Sequence, residues 1–162
     1  MRREPGARVR PARRRDLDRL SALFSLLVAQ HAAWHPRFQL GRGGEALLAE
    51  ELAGWLGDAD TGIWLAESGE PPQIQGLCVA RLARRSAGFQ ERLRGAVEHL
   101  YVRESGRRQG AGRALVEVAL GWLGSSGARR VEIQVARPNR PGRAFWDALG
   151  FRPTMDVLER PL

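Results

Sequence analysis

The chain has 162 residues, a formal charge of +8 and a pI near 11.4, and all 26 of its Lys/Arg positions are arginine. With 43% hydrophobic residues it is too apolar for a disordered chain, and one domain of this length buries about 70% of its unfolded surface. No apolar run approaches the ~18 residues of a membrane helix, and the single cysteine, Cys78, excludes an internal disulfide and a multi-cysteine metal site.

In chain order, residues 1–6 read as a loose arm, and Arg2 and Arg3 lack the compact apolar stretch of a signal peptide, so a cytoplasmic location is expected. Residues 7–11 suit an edge strand ending at Pro11. Asp16 is placed to cap a helix carrying Leu17, Leu20, Leu23, Phe24 and Leu27 on one face. His31, Trp34, His35 and Phe38 follow, interrupted by Pro36. A second helix is expected over 45–56, and an antiparallel hairpin from strands 63–67 and 74–82. Residues 84–95 read as a polar connection. A strand over 96–102, a helix over 110–123, a strand over 131–136, a helix over 141–149 with Pro141 in its first turn, and a last strand over 154–159 complete the chain. No repeat or linker divides it, so residues 1–162 are expected to form one domain.

The stretch 97–123 holds the most specific pattern. A short β-branched and aromatic strand is followed by Arg107-Arg108-Gln109-Gly110-Ala111-Gly112 and then by an amphipathic helix. Such a turn presents backbone N–H groups at the positive end of a helix, where phosphate oxygens bind. A P-loop is excluded, since it requires a lysine. A dinucleotide fingerprint has Glu132 at the right distance for a ribose-binding acid. However, Leu115 stands where the third glycine belongs, and seven residues separate Val102 from Gly110. A plain arginine-rich surface turn remains the simplest alternative.

These residues resemble the GCN5-related N-acetyltransferases, whose signature is Arg/Gln-x-x-Gly-x-Gly/Ala. Glu98-His99-Leu100-Tyr101-Val102 is similar to that family's fourth strand. Residues 139–146 with Leu149-Gly150-Phe151 resemble its second motif, and Val9-Arg10-Pro11-Ala12 with Asp16-Leu17 its first strand and helix cap. The resemblance implies an α+β fold, a mixed sheet of six to seven strands with helices on both faces. Acyl-CoA would enter the gap between splayed parallel strands four and five. The implied reaction is acetyl transfer from acetyl-CoA to a primary amine by direct attack in a ternary complex, with no metal.

Residue by residue, the resemblance assigns acetyl-CoA to Leu100, Tyr101, Val102, Arg107, Arg108, Gln109, Gly110, Ala111, Gly112, Arg113, Asn139 and Trp146. The strand contributes backbone amides at Leu100 and Val102, and Asn139 bonds the pantetheine arm or steadies the loop. Glu98 is the first candidate to take the amine's proton, through water. His99 is second, although strand alternation points it to the opposite face unless a bulge intervenes. Many relatives place a thiolate-protonating tyrosine where this chain has Trp146, whose indole is only a hydrogen-bond donor; Tyr101 is the sole alternative phenol. His31, Trp34, His35 and Phe38 are candidates for the acceptor pocket, or else packing residues.

Spread-out arginines, without zinc spacing, a ribonucleoprotein motif or a zipper, disfavour nucleic acid as the main partner. Arg84, Arg85, Arg92 and Arg94 would suit an acidic acceptor better than a polycation. A non-catalytic acyl-CoA-binding module of the same fold is the runner-up, and a homodimer is compatible with either reading. Without lysine, the chain offers no side-chain amine of its own to acetylation.

Overall fold

The computed structural model describes residues 7–160. One mixed sheet runs in the order β1 (Arg8–Pro11), β2 (Thr61–Ser68), β3 (Gln73–Arg84), β4 (Leu93–Val102) and β5 (Val131–Ile133). The first four strands pair antiparallel in turn, and β5 joins β4 in parallel. Helices α1 (Leu17–Ala32) and α2 (Gly44–Trp55) cover one face, and α3 (Ala111–Ser125) and α4 (Arg140–Ala148) the other.

The two faces follow from alternation along β3. Leu77 and Val79 point to the α1/α2 side, whereas Cys78 and Ala80 point to α3. Because both faces are covered, the strand reads as an unbroken apolar run. On α1, Leu20, Leu23, Phe24 and Leu27 form the buried stripe; on α3 it is Leu115, Val116, Ala119 and Leu123. Each fully buried leucine stabilises by roughly 1.5–3 kcal/mol relative to exposure.

Several expectations need correction. The sheet has five strands among the described residues, not six or seven. Residues 84–95 are not a polar connection throughout. The β3–β4 ladder continues to Arg84↔Leu93, which shortens the loop to residues 85–92. The fifth strand stops at Ile133 instead of reaching residue 136. Residues 154–159 form no strand; Met155, Val157 and Leu158 are 80%, 72% and 90% exposed. Ion pairs hold this segment at Asp156 with Arg137 and at Glu159 with Arg37, and the three-residue β5 offers little edge to pair with. The arm expected over residues 1–6 lies outside the described residues.

Asp16 is not the side-chain cap that its position implies. Its buried carboxylate instead accepts both terminal nitrogens of Arg10, at 2.8 and 2.9 Å, and the Arg13 amide at 2.9 Å. Arg10 Nε donates to Glu67 on β2 at 2.8 Å, so one guanidinium ties the start of α1 to the sheet. A forked, charge-assisted arrangement of this kind outcompetes a single neutral cap bond. Asp16→Ala leaves Arg10 half-paired and is expected to cost about 2–4 kcal/mol, read as a lower midpoint in urea unfolding. Arg10 holds the Asp16 carboxyl below the usual aspartate range. Its contribution is therefore complete at neutral pH and lost as pH falls below about 4, through the depressed folded-state value; the variant should lack this component of acid sensitivity.

Candidate active site

The turn between β4 and α3 is built from backbone. A 3-10 turn at Glu104–Gly106 leads to Arg108, at φ 61°, and Gly110, at φ 85°, both left-handed. For arginine that conformation costs about 1–2 kcal/mol, a kind of strain found at binding sites. Gly106 is required by crowding, because a Cβ there would stand 2.9 Å from Gln75 Cβ. α3 has no side-chain cap, and its first main-chain bond is Ala114 N–H to the Gly110 carbonyl. The N–H groups of Ala111, Gly112 and Arg113 therefore have no intrahelical acceptor and face outward at the positive end of the helix dipole.

The side chains of this turn divide the work differently from the sequence expectation. Arg107 folds back: its Nε donates to the Val102 carbonyl at 3.1 Å and Nη1 lies 3.7 Å from Glu104. Gln109 braces the turn through Ser105 O at 3.0 Å. Arg113 pairs loosely with Glu117 one helical turn on, at 3.8 Å. Arg108, like Arg103 at the start of the turn, is exposed with no ion pair among the described residues. Glu132, the ribose-binding acid of the dinucleotide alternative, is occupied by Arg85 at 3.1 Å and Arg94 at 3.2 Å. Arg84 is likewise committed, to Asp60.

Next to this turn the sheet opens. The β4–β5 ladder runs from Gly95↔Val131 to Val97↔Ile133 and ends there. Arg103 N–H bonds to Gln75 O on β3, so by alternation the Leu100 and Val102 amides point away from β3, into the opening. The Leu100 and Val102 side chains meanwhile pack toward α3, and Tyr101 packs toward α1 and α2.

A bulge decides where the titratable residues go. The β3–β4 register passes from Val79↔His99 to Ala80↔Val97, leaving Glu98 without a partner. The extra residue breaks alternation, so Glu98 and His99 share the α1/α2 face. There, Glu98 Oε2 lies 3.6 Å from Arg81 Nη1, and the Arg81 guanidinium stacks 4.8 Å above the Trp55 ring. Trp55 is stacked on His99 at 5.6 Å, with Phe24 edge-on to His99 at 4.7 Å. Burial first, then the neighbouring His31 and Arg81, push the His99 imidazole down to about 4, so it is neutral at pH 7. Arg81 and Trp55 escape sequence reasoning. The available signal was a charged residue in phase with Leu77 and Val79, at the end of a buried run.

The remaining candidates are placed as follows. Asn139 Oδ1 accepts the Gly142 amide at 2.9 Å and caps α4. Trp146 is 9% exposed and packs against Phe145 and Phe151 in the α3/α4 core. His31, Trp34 and Phe38 form one aromatic cluster at the end of α1, with ring centroids 5.2 Å apart in each His31 pair. Burial lowers the pKa of His31. His35 caps the following turn and lies 3.6 Å from Glu159. Cys78 is fully buried mid-strand, and burial pushes its thiol up to about 12, which removes the thiolate needed for an acyl-enzyme. Thiol reagents are expected to leave the native protein unlabelled, and Cys78→Ala should change turnover less than about threefold; a larger loss of kcat would reinstate a cysteine nucleophile.

The model of the acetyltransferase (GNAT) family matches residues 25–151. The chain belongs to this family. Among solved structures, GNAT-fold likeness extends over nearly the entire chain. A tetramutant of the BH1408 protein from Bacillus halodurans superposes with a TM-score of 0.84 at 19% identity, covering 96% of this chain and 99% of the other. The aminoglycoside antibiotic 6'-N-acetyltransferase AAC(6')-Ig from Acinetobacter haemolyticus gives 0.74 at 21% identity, with 96% and 97% covered. The aminoglycoside acetyltransferase AAC(6')-Iy, solved with a bisubstrate analogue of CoA, gives 0.76 at 18% identity, with 98% and 99% covered. No curated protein matches the chain in sequence. For a GNAT chain, the uncapped α3 terminus and the open β4 edge fit acetyl-CoA as co-substrate: the first offers donors to a diphosphate, the second to an extended amide arm. No helix among the described residues is long and apolar enough to cross a membrane.

Proposed function

We propose that this chain is an N-acetyltransferase that transfers the acetyl group of acetyl-CoA to a primary amine by direct attack. The observation that carries the reading is the adjacency of three features on one strand: unpaired Leu100 and Val102 amides, the Glu98 bulge before them, and the uncapped helix after them. Diphosphate oxygens would bind the Ala111, Gly112 and Arg113 amides, with Arg108 as an unpaired cation beside them. The β4 amides would hold the pantetheine arm and polarise the thioester carbonyl, whose oxygen gains charge during attack.

The amine arrives protonated. For a lysine-like group of pKa ~10.4, freeing the lone pair at pH 7 costs roughly 4.6 kcal/mol. Glu98 accepts that proton, directly or through one water; the nitrogen forms its bond to the acetyl carbon, the C–S bond breaks to release the CoA thiolate, and the nitrogen's second proton passes through water to that sulfur. His99, packed between Trp55 and Phe24, serves the pocket wall rather than the proton transfer. A thiol pKa near 8.5 makes departure without a phenol tolerable.

The second reading, a non-catalytic acyl-CoA-binding module, draws on Trp146 carrying an indole instead of a phenol and on the one tyrosine, Tyr101, facing the α1/α2 side. Titration calorimetry with acetyl-CoA, paired with thiol-release assays on a panel of amines, separates the readings. Micromolar binding near one site per chain, with amine-dependent thiol release, is expected. Binding without turnover selects the module, and absence of binding sinks both.

A further inference from the structure

Glu98 and Arg81 form a loose ion pair on the α1/α2 face of the candidate site. Their charged atoms are 3.6 Å apart, too far for a hydrogen bond, and each side chain is 33% exposed. Arg81 Nε donates to Thr61 Oγ1 at 3.1 Å and its plane rests on Trp55, so the guanidinium is held in place. Both of its terminal nitrogens nevertheless lack a hydrogen-bond partner among the described residues, as does the Glu98 carboxylate. Two opposite charges with hydrogen-bonding capacity to spare thus stand side by side, next to the partly exposed rings of Trp55 and His99, behind which Phe24 is buried.

A ligand that satisfies both at once carries an ammonium and a carboxylate at matching separation. In an α-amino acid these groups share one carbon, and standard bond lengths place nitrogen and carboxylate oxygen roughly 2.7–3.6 Å apart. We propose that the acceptor is a free α-amino acid with an apolar or aromatic side chain: Arg81 takes its carboxylate, Glu98 its amine, and the aromatic wall its side chain. This inference rests on the N-acetyltransferase reading and names the substrate class for the same site. A polycationic acceptor fits poorly, because its second amine would meet Arg81.

The test compares L-phenylalanine, L-phenylalaninamide, 2-phenylethylamine and kanamycin as acceptors, with wild type, Arg81→Gln and Arg81→Lys. Binding of phenylalanine in the presence of CoA is measured separately by calorimetry. For wild type, kcat/KM for phenylalanine should exceed that for the amide and for phenylethylamine by about 10- to 100-fold, the scale of a charge-assisted carboxylate contact. Arg81→Gln should collapse the phenylalanine-to-phenylethylamine ratio of kcat/KM to near one, chiefly through KM for phenylalanine, and Arg81→Lys should partly restore it. Preference for the amide, phenylethylamine or kanamycin in wild type would overturn the proposal while leaving N-acetyl transfer intact, as would equal loss on all acceptors in Arg81→Gln. If no amine is turned over, acetyl transfer fails instead. The calorimetric arm then decides alone: Arg81-dependent phenylalanine binding upholds the amino-acid site, and no binding rejects it.

Discussion

Gly110→Asp should weaken acetyl-CoA binding by at least about 100-fold, whereas Gly110→Ala should weaken it by less than about tenfold. Both substitutions force a side chain into the left-handed conformation at φ 85°, which costs about 1–2 kcal/mol of folding stability. Nothing lies within 4 Å of the added Cβ, so crowding adds no further penalty in either variant. The thermal midpoint should fall by a few degrees in Gly110→Ala and by less in Gly110→Asp, whose carboxylate meets the uncapped end of α3. The difference between them is charge. The aspartate sits beside the Ala111, Gly112 and Arg113 amides that the diphosphate needs, and at ~5 Å and an effective dielectric of 20 one repelled charge costs about 3 kcal/mol. Calorimetry at fixed ionic strength, alongside thermal melts, checks the pair. Equal affinities for acetyl-CoA in the two variants would place the phosphate site elsewhere.

Glu98→Gln should lower kcat/KM for the amine by about 10²- to 10⁴-fold at pH 7, with the affinity for acetyl-CoA unchanged. The amide preserves size and leaves the bulge in place, but it cannot receive a proton. The pH profile supplies the sharper readout. In the variant, attack depends on amine already deprotonated in solution, so its rate should climb about tenfold per pH unit toward the amine pKa and narrow the gap from wild type. The matched His99→Gln change should cost far less, since the imidazole is packed between Trp55 and Phe24 as part of the pocket wall. A profile in Glu98→Gln parallel to wild type, with little loss of rate, would remove Glu98 from proton transfer and return the question to His99 or a bound water.

Glycine, proline and apolar periodicity are local quantities, and where they govern, reading the chain succeeds. The stripe of Leu20, Leu23, Phe24 and Leu27 sets α1, the pair Gly110 and Gly112 marks the turn into α3, and Pro141 opens α4. Where partners compete, local reading misplaces a residue. Asp16 has the chemistry of a cap, yet a bidentate Arg10 claims it; Arg107 has the chemistry of a phosphate ligand, yet the Val102 carbonyl and Glu104 hold it. The alternating pattern of residues 154–159 resembles a strand, but pairing needs an edge, and β5 ends after three residues.

The sequence by itself determined the family, the mixed sheet with its parallel β4–β5 pair, and the position of the glycine turn that opens α3, because motif spacing and backbone preference are written along the chain. Only the tertiary structure decided which side chains meet at the chemistry. One unpaired residue at position 98 turns Glu98 to the same face as His99, and Arg81 reaches that face from the neighbouring strand, with Trp55 arriving from α2. Register is a property of two strands together, and a one-residue slip reverses every side chain beyond it. No single strand records that reversal, and so the juxtaposition of Glu98 with Arg81 exists only in the folded protein.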